Sequence, residues 1–172
     1  MFNDPEKNLQ TFSIDENMVI ADFGAGTGFY TIASARMVPK GKVYALEVQK
    51  DLIETIKLKA RYEHLSNIEC IWSNVEKIGG TKLADSIIDR AIVSNVLFQI
   101  EDKKNFVEEI KRVLKPGGKL LLIDHCPDKS HLKIEMVSKE KAREMFEARG
   151  FVFEKNIDAG THNYGIIFSI KK

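Results

Sequence analysis

With 172 residues, 44% of them hydrophobic and 30% charged, the chain has the composition of one compact domain with enough apolar surface for a proper core. Its 26 basic and 25 acidic side chains nearly cancel, so net charge offers no pull toward a polyanion or an anionic membrane surface. Cys70 and Cys126 match no zinc or redox spacing, residues 1–10 carry no charged-then-apolar leader, and no apolar run is long enough to span a bilayer, so a cytoplasmic protein without a transmembrane segment is expected.

Short apolar runs of strand length alternate with longer stretches of helical period, the pattern of a parallel sheet covered by helices on both faces. The fold class is therefore α/β. Residues 1–17 receive no element. Met18 to Phe23 reads as a first strand, followed by a helix from about Phe29 to Met37 that stops before Pro39 and Gly41. Lys42 to Glu47 is a second strand. Asp51 to His64 sets Leu52, Ile53, Ile56 and Ala60 on one helical face, and Ile68 to Ser73 is a third strand.

Beyond a loop containing Gly79-Gly80, Ser86 to Ser94 is apolar on both faces and suits the middle of a sheet. Lys103 to Leu114 is a helix with Phe106, Val107, Ile110, Val113 and Leu114 inward. Lys115-Pro116-Gly117-Gly118 reads as a turn before a fifth strand, Lys119 to Ile123. Ser138 is placed to cap a helix reaching about Arg149, with Gly150 as its stop. Phe151 to Ile157 and Tyr164 to Ile170 flank a turn-forming loop, Asp158 to Asn163, and suggest a closing hairpin. The expectation is a doubly wound, seven-stranded, mostly parallel sheet with an antiparallel last strand.

The segment Asp22-Phe23-Gly24-Ala25-Gly26-Thr27-Gly28 joins the first strand to the first helix. Glycines there leave backbone N–H groups free at a helix N-terminus and let a ligand approach where a Cβ would obstruct it. A dinucleotide fingerprint needs its third glycine at position 29, which is Phe29, so the spacing is GxGxG. Asp22 at the strand's carboxyl end would meet a cationic amino group favourably and an anionic pyrophosphate unfavourably. There is no GxxxxGK[ST] phosphate loop. Glu47, about 20 residues past the last glycine, is placed to accept hydrogen bonds from ribose hydroxyls; the alternative is an exposed strand-end carboxylate.

Val19 to Ala35, with Val43 to Glu47, Asp89 to Gln99 and the turn Leu114-Lys115-Pro116-Gly117-Gly118, resemble the class I S-adenosylmethionine-dependent methyltransferases. Within that class they resemble the ubiquinone and menaquinone biosynthesis C-methyltransferase-like "methyltransferase domain 11" group. The resemblance covers about Met18 to Asp124 and, in outline, the final hairpin. It implies a Rossmann-like fold with S-adenosyl-L-methionine as cofactor. The chain then divides into a short N-terminal segment (1–17), a cofactor-binding core (18–124) and a substrate-side loop, helix and hairpin (125–172), all in one domain.

By position, the resemblance implies that Asp22, Gly24, Gly26 and Gly28, with Ala25 and Thr27 in the same turn, line the methionine moiety, that Glu47 holds the ribose, and that Val48 faces the adenine. Asn74 stands where relatives often carry an acid that binds the adenine amino group, with Val75 beside it; an Asn can accept that bond through its carbonyl oxygen. Ser94 and Asn95 fall in the segment that walls the methyl group. Leu97 and Phe98 stand where many relatives carry paired histidines or a histidine and a hydrophobe, which removes one candidate base; the alternative reading of this pair is simple helix–sheet packing.

Methyl transfer depends chiefly on holding the acceptor in line, so a base is optional. The catalytic candidates are Asp124 and His125 at the end of the fifth strand, together with Asn95; His131 and Asp128 stand in the same loop, and His162 and Tyr164 in the hairpin. The spacing of His125, Cys126, Asp128 and His131 matches no metal ligand set, so no metal is expected. No Asn/Asp-Pro-Pro-Tyr/Phe motif is present. With little chain before the first strand and a short charged loop after the fifth, an open site is expected; for a small or lipid-like acceptor, Phe2, Phe12 and residues 126–137 would serve as a partial lid. Three readings stay open: a small or lipid-like acceptor, a protein or RNA acceptor, and a catalytically weak cofactor-binding scaffold. A homodimer covering the opening is compatible with each.

Overall fold

The structure is a computed structural model that describes residues 4–127 and 136–171. In chain order its elements are α1 (Pro5–Gln10), β1 (Val19–Phe23), α2 (Phe29–Met37), β2 (Lys42–Glu47), α3 (Lys50–Tyr62), β3 (Ile68–Trp72), β4 (Ile88–Ser94), a 3₁₀ turn (Leu97–Gln99), α4 (Lys103–Val113), β5 (Leu114–His125), α5 (Lys139–Glu147), β6 (Phe151–Ile157) and β7 (Asn163–Ile170). The strands form one sheet in the order β3-β2-β1-β4-β5-β7-β6. β7 runs antiparallel to both β5 and β6, and the other pairings are parallel, as expected. The chain leaves β1 toward β2 on one side and returns to β4 on the other, so the crevice at the carboxyl ends of β1 and β4 is where such a sheet binds ligands.

Side chains alternate across the strands and divide the core. Ile20, Val43, Ile92, Leu121, Ile123 and Ile167 pack with Leu9, Tyr30 and Ala33 of α1 and α2. Ala21, Phe23, Val93, Leu120, Leu122 and Phe168 pack with Phe106 and Ile110 of α4 and Phe146 of α5. Ile56 of α3 reaches Ala25 and Ala45 on the first face. Ser138 caps α5 as read from the sequence, its Oγ accepting from Lys141 N at 3.3 Å.

Two sequence expectations change. Residues 1–17 contain α1, capped by Asp4, whose Oδ1 accepts from Glu6 N and Lys7 N, with Pro5 in the first turn. α1 packs on α2, which explains why α2 is buried almost all round and shows no polar stripe. The segment after α1 is tied to the sheet by Arg90, whose guanidinium donates to Phe12 O at 3.2 Å and Ser13 O at 2.8 Å.

The Lys115–Gly118 turn is instead a bulge inside β5. Ile88 pairs with Leu114 and Arg90 with Lys119, so two steps on β4 face five on β5. Asp89 holds the irregularity by accepting from Lys115 Nζ and Val19 N.

Candidate active site

Carboxyl ends of β1, β2, β3 and β4 surround a cleft of about 380 Å³. The chain enters it through the glycine turn. Gly24 N and Ala25 N donate to Leu46 O at 2.9 and 3.0 Å, which pins the turn against β2. Gly24 has φ +72°, and a Cβ there would stand 2.7 Å from Val96 Cγ2; Gly26 has φ +55° and would meet nothing nearer than Gly24 O at 4.0 Å. The first glycine is demanded by packing, and the second leaves room in the cleft. Gly28 turns away from the cleft: it caps α2 and lies under Ile56 of α3.

Asp22 lines the cleft and is 2% exposed. Its Oδ2 accepts from Thr31 Oγ1 at 2.6 Å, in the first turn of α2. Burial pushes the carboxyl up to about 6, with a smaller push from Glu47, against the hydrogen bonds from Thr31. Glu47 is buried and not the exposed strand-end group of the alternative reading. Its Oε2 accepts from Gly26 N at 2.9 Å, while Oε1 accepts from Val48 N and Gln49 N at 2.8 and 2.9 Å. The carboxylate therefore locks the glycine turn to the start of α3, and Oε2 keeps one lone pair for a ligand.

Val48 and Phe29 line the mouth and are 58% and 57% exposed, an apolar rim beside Leu52. Asn74 and Val75 stand on the opposite wall, where Asn74 Oδ1 already accepts from Glu76 N at 2.9 Å. Next to them, the buried Ser73 hydroxyl has no hydrogen-bond partner among the described residues.

The far wall is Ser94, Asn95 and Val96. Asn95 takes a left-handed φ of +55°, its N donates to Ile123 O at 2.8 Å, and its Oδ1 accepts from Asn163 Nδ2 at 2.6 Å. Asp124 does not line this cleft. It is buried, and its oxygens accept from Leu97 N at 2.9 Å and His125 N at 2.7 Å, so it holds the turn after β4; burial raises its pKa against those two bonds. His125 stands behind Asn95, its Nδ1 3.5 Å from Asn163 Nδ2 and its ring 6.0 Å from that of Phe98.

Of the other candidates, Leu97 is core, Tyr164 is buried with its hydroxyl on Val137 O, and His162 is exposed. Phe12 is no lid: it is 1% exposed in the α1–α2 layer. Phe2, Asp128 and His131 lie outside the described residues. Sequence reasoning misses four further residues: Tyr30, which lines the cleft and takes a hydrogen bond from Asn8 Nδ2, Thr31 against Asp22, Ser73 in the cleft lining, and Asn163, which meets Asn95 across 68 positions.

The family model for a methyltransferase domain matches residues 14–163. The demethylmenaquinone methyltransferase of Geobacillus sp. (strain WCH70) is 28% identical over 120 residues, 69% of this chain and 50% of that protein. The ubiquinone/menaquinone biosynthesis C-methyltransferase UbiE of Pasteurella multocida (strain Pm70) is 29% identical over 107 residues, 61% of this chain and 39% of that protein. The chain thus spans half or less of the length of these curated relatives. The crystal structure of a SAM dependent methyltransferase from Aquifex aeolicus is similar with a TM-score of 0.89 at 29% identity, covering 98% of this chain and 90% of that one. The chain belongs to the methyltransferase domain family, and S-adenosyl-L-methionine is its cofactor.

Proposed function

We propose that the protein transfers a methyl group from S-adenosyl-L-methionine to a small or lipid-like acceptor bearing an oxygenated ring. The observation that carries this is the cleft itself: a buried acid, a glycine turn with room beside Gly26, and a second buried acid converge on one crevice. When bound there, S-adenosyl-L-methionine supplies a methyl group activated by a sulfonium.

In this reading Asp22 pairs with the ligand's ammonium, and the backbone of Gly24 to Gly26 makes the close approach that side chains would block. Glu47 accepts from the ribose through Oε2, and Val48 and Leu52 cover the adenine ring. The second lone pair of Asn74 Oδ1 takes the adenine amino group. The cleft's titratable side chains among the described residues are Asp22, Tyr30, Glu47 and Glu76, and no histidine lines it. Rate enhancement then rests on positioning and on the acceptor's own nucleophilicity. The exposed Phe29 at the mouth, and the quinone-directed names of the two curated relatives, support an apolar, ring-bearing acceptor. The free thiols Cys70 and Cys126 suit a reducing, cytoplasmic setting.

Calorimetric titration tests the cofactor reading. The native protein is expected to bind S-adenosylhomocysteine, and Glu47→Ala to bind it about 10- to 100-fold more weakly, the worth of hydrogen bonds to a charged group. No binding by the native protein would overturn the function; unchanged binding by the variant would overturn only the ribose role of Glu47.

A further inference from the structure

We propose that Asn163, the first residue of β7, is a positioning residue that turns the side-chain amide of Asn95 so that its Nδ2 donates to an oxygen of the methyl acceptor. The inference rests on the methyltransferase reading above.

The antiparallel register of β5 and β7 puts Asn163 directly opposite His125. Asn163 Nδ2 lies 2.6 Å from Asn95 Oδ1 and 3.5 Å from His125 Nδ1. An amide nitrogen has only protons to offer, so its approach to Nδ1 is attractive when Nδ1 carries no proton and the imidazole proton sits on Nε2. With that tautomer the contact favours the orientation of the Asn163 amide seen here, and the 2.6 Å bond from Asn163 sets which end of the Asn95 amide is occupied. With Oδ1 engaged, Asn95 Nδ2 is left with a single long contact, Ser94 Oγ at 3.5 Å.

The backbone of Asn95 cannot drift to compensate. Its N–H is held by Ile123 O, and the next turn is held by Asp124 through Leu97 N. The wall of the cleft at Ser94 and Asn95 therefore presents an uncharged N–H donor from a fixed position. Such a donor discriminates by chemistry. Donation to the attacking nitrogen of an amine would occupy the lone pair needed for attack, whereas a hydroxyl or carbonyl oxygen has two lone pairs and can accept while it reacts or while it activates a neighbouring carbon. The acceptor class favoured is a phenol, enol or quinol.

The test uses the full chain saturated with S-adenosylhomocysteine and 1,4-naphthoquinol as probe, under anaerobic conditions, with side-chain amide NMR signals and probe affinity as readouts. Asn95→Asp keeps the oxygen that Asn163 needs and removes the donor. Asn163→Asp removes the donor to Asn95, whose amide then turns its Nδ2 toward the new carboxylate. The expected result is a shift of the Asn95 Nδ2 protons on adding probe to the native protein. Probe affinity should fall about tenfold in both variants, and Asn163→Asp, whose side chain does not line the cleft, should keep S-adenosylhomocysteine affinity within about twofold.

Asn163→Ala, which creates no new charge, should weaken the probe similarly. Absence of the Asn95 shift, unchanged probe affinity in the variants, or an equal loss of S-adenosylhomocysteine affinity in Asn163→Asp would overturn the proposal. A native protein that does not bind S-adenosylhomocysteine overturns the underlying function instead, so the two failures are distinguishable.

Discussion

Thr31 Oγ1 donates to Asp22 Oδ2 across 2.6 Å, linking the first turn of α2 to the end of β1 beneath the ligand cleft. Burial nonetheless outweighs this bond, and the Asp22 carboxyl titrates at about 6 where its ordinary value is 3.8. The folded chain thus holds this proton more tightly than the unfolded chain, and Asp22 costs stability progressively as pH rises from about 4 through about 6. Asp22→Asn is expected to raise stability at pH 7.5 by on the order of 2–3 kcal/mol, and far less at pH 4, in urea denaturation. The same variant should lose affinity for S-adenosylhomocysteine. For the native protein, that affinity should decline as pH falls through about 6, because the ammonium needs the ionised carboxylate; a flat profile would contradict the pairing.

The two glycines of the turn should separate folding from binding. Gly24→Ala forces a Cβ toward Val96 in a left-handed backbone and is expected to cost about 2–4 kcal/mol. Gly26→Ala meets open space, so its cost is about 1 kcal/mol of backbone strain, but its methyl enters the cleft. Denaturation should therefore rank Gly24→Ala as the less stable variant, while calorimetry should show Gly26→Ala folded and binding at least roughly tenfold more weakly.

Glu109 is wholly buried in α4 and accepts from Gly79 N, Thr81 N, Thr81 Oγ1 and two nitrogens of Arg112. Burial pushes its carboxyl up, but Arg112, Thr81 and Gly79 together hold it down at about 2. Its contribution is present above the ordinary 4.5 and is lost as pH falls toward 2. Arg112→Ala leaves that carboxylate buried without its cation and should cost about 3–5 kcal/mol at pH 7, read as a shift in the urea midpoint at constant slope.

Arg90 provides the tether between β4 and the residues after α1. Arg90→Ala is expected to cost about 1–2 kcal/mol and to release α1 first. Hydrogen exchange should show protection lost in residues 5–12 before it changes in β1 or β4; uniform loss across the sheet would argue against a local tether.

Reading the chain in one dimension was enough for most of the fold and for the residues of β1 and β2 that converge on the cleft. Strand and helix periods are local, and they placed β2 at Lys42–Glu47 and β6 at Phe151–Ile157 without error. The GxGxG spacing, Asp22 and Glu47 are likewise local signals, since each sits at the end of a strand whose position periodicity already reveals. α1 also had a signal in Asp4-Pro5, an N-cap followed by a first-turn proline, but six residues gave too short a period to register.

Tertiary structure decided the rest. Asp124 and His125 follow one another in sequence, yet a pleated strand sends them to opposite sides, so one becomes a buried backbone anchor and the other stands behind Asn95. Asn163 meets Asn95 across 68 positions, a distance that only the β5–β7 register spans. The Lys115–Gly118 bulge follows from the pairing demands of β4, which no local propensity encodes. By itself the sequence determined the fold class and the methyl donor, because repeated backbone periods and a glycine turn carry them locally; the Asn95–Asn163 pair beside the cleft exists only once strands distant in sequence set their register.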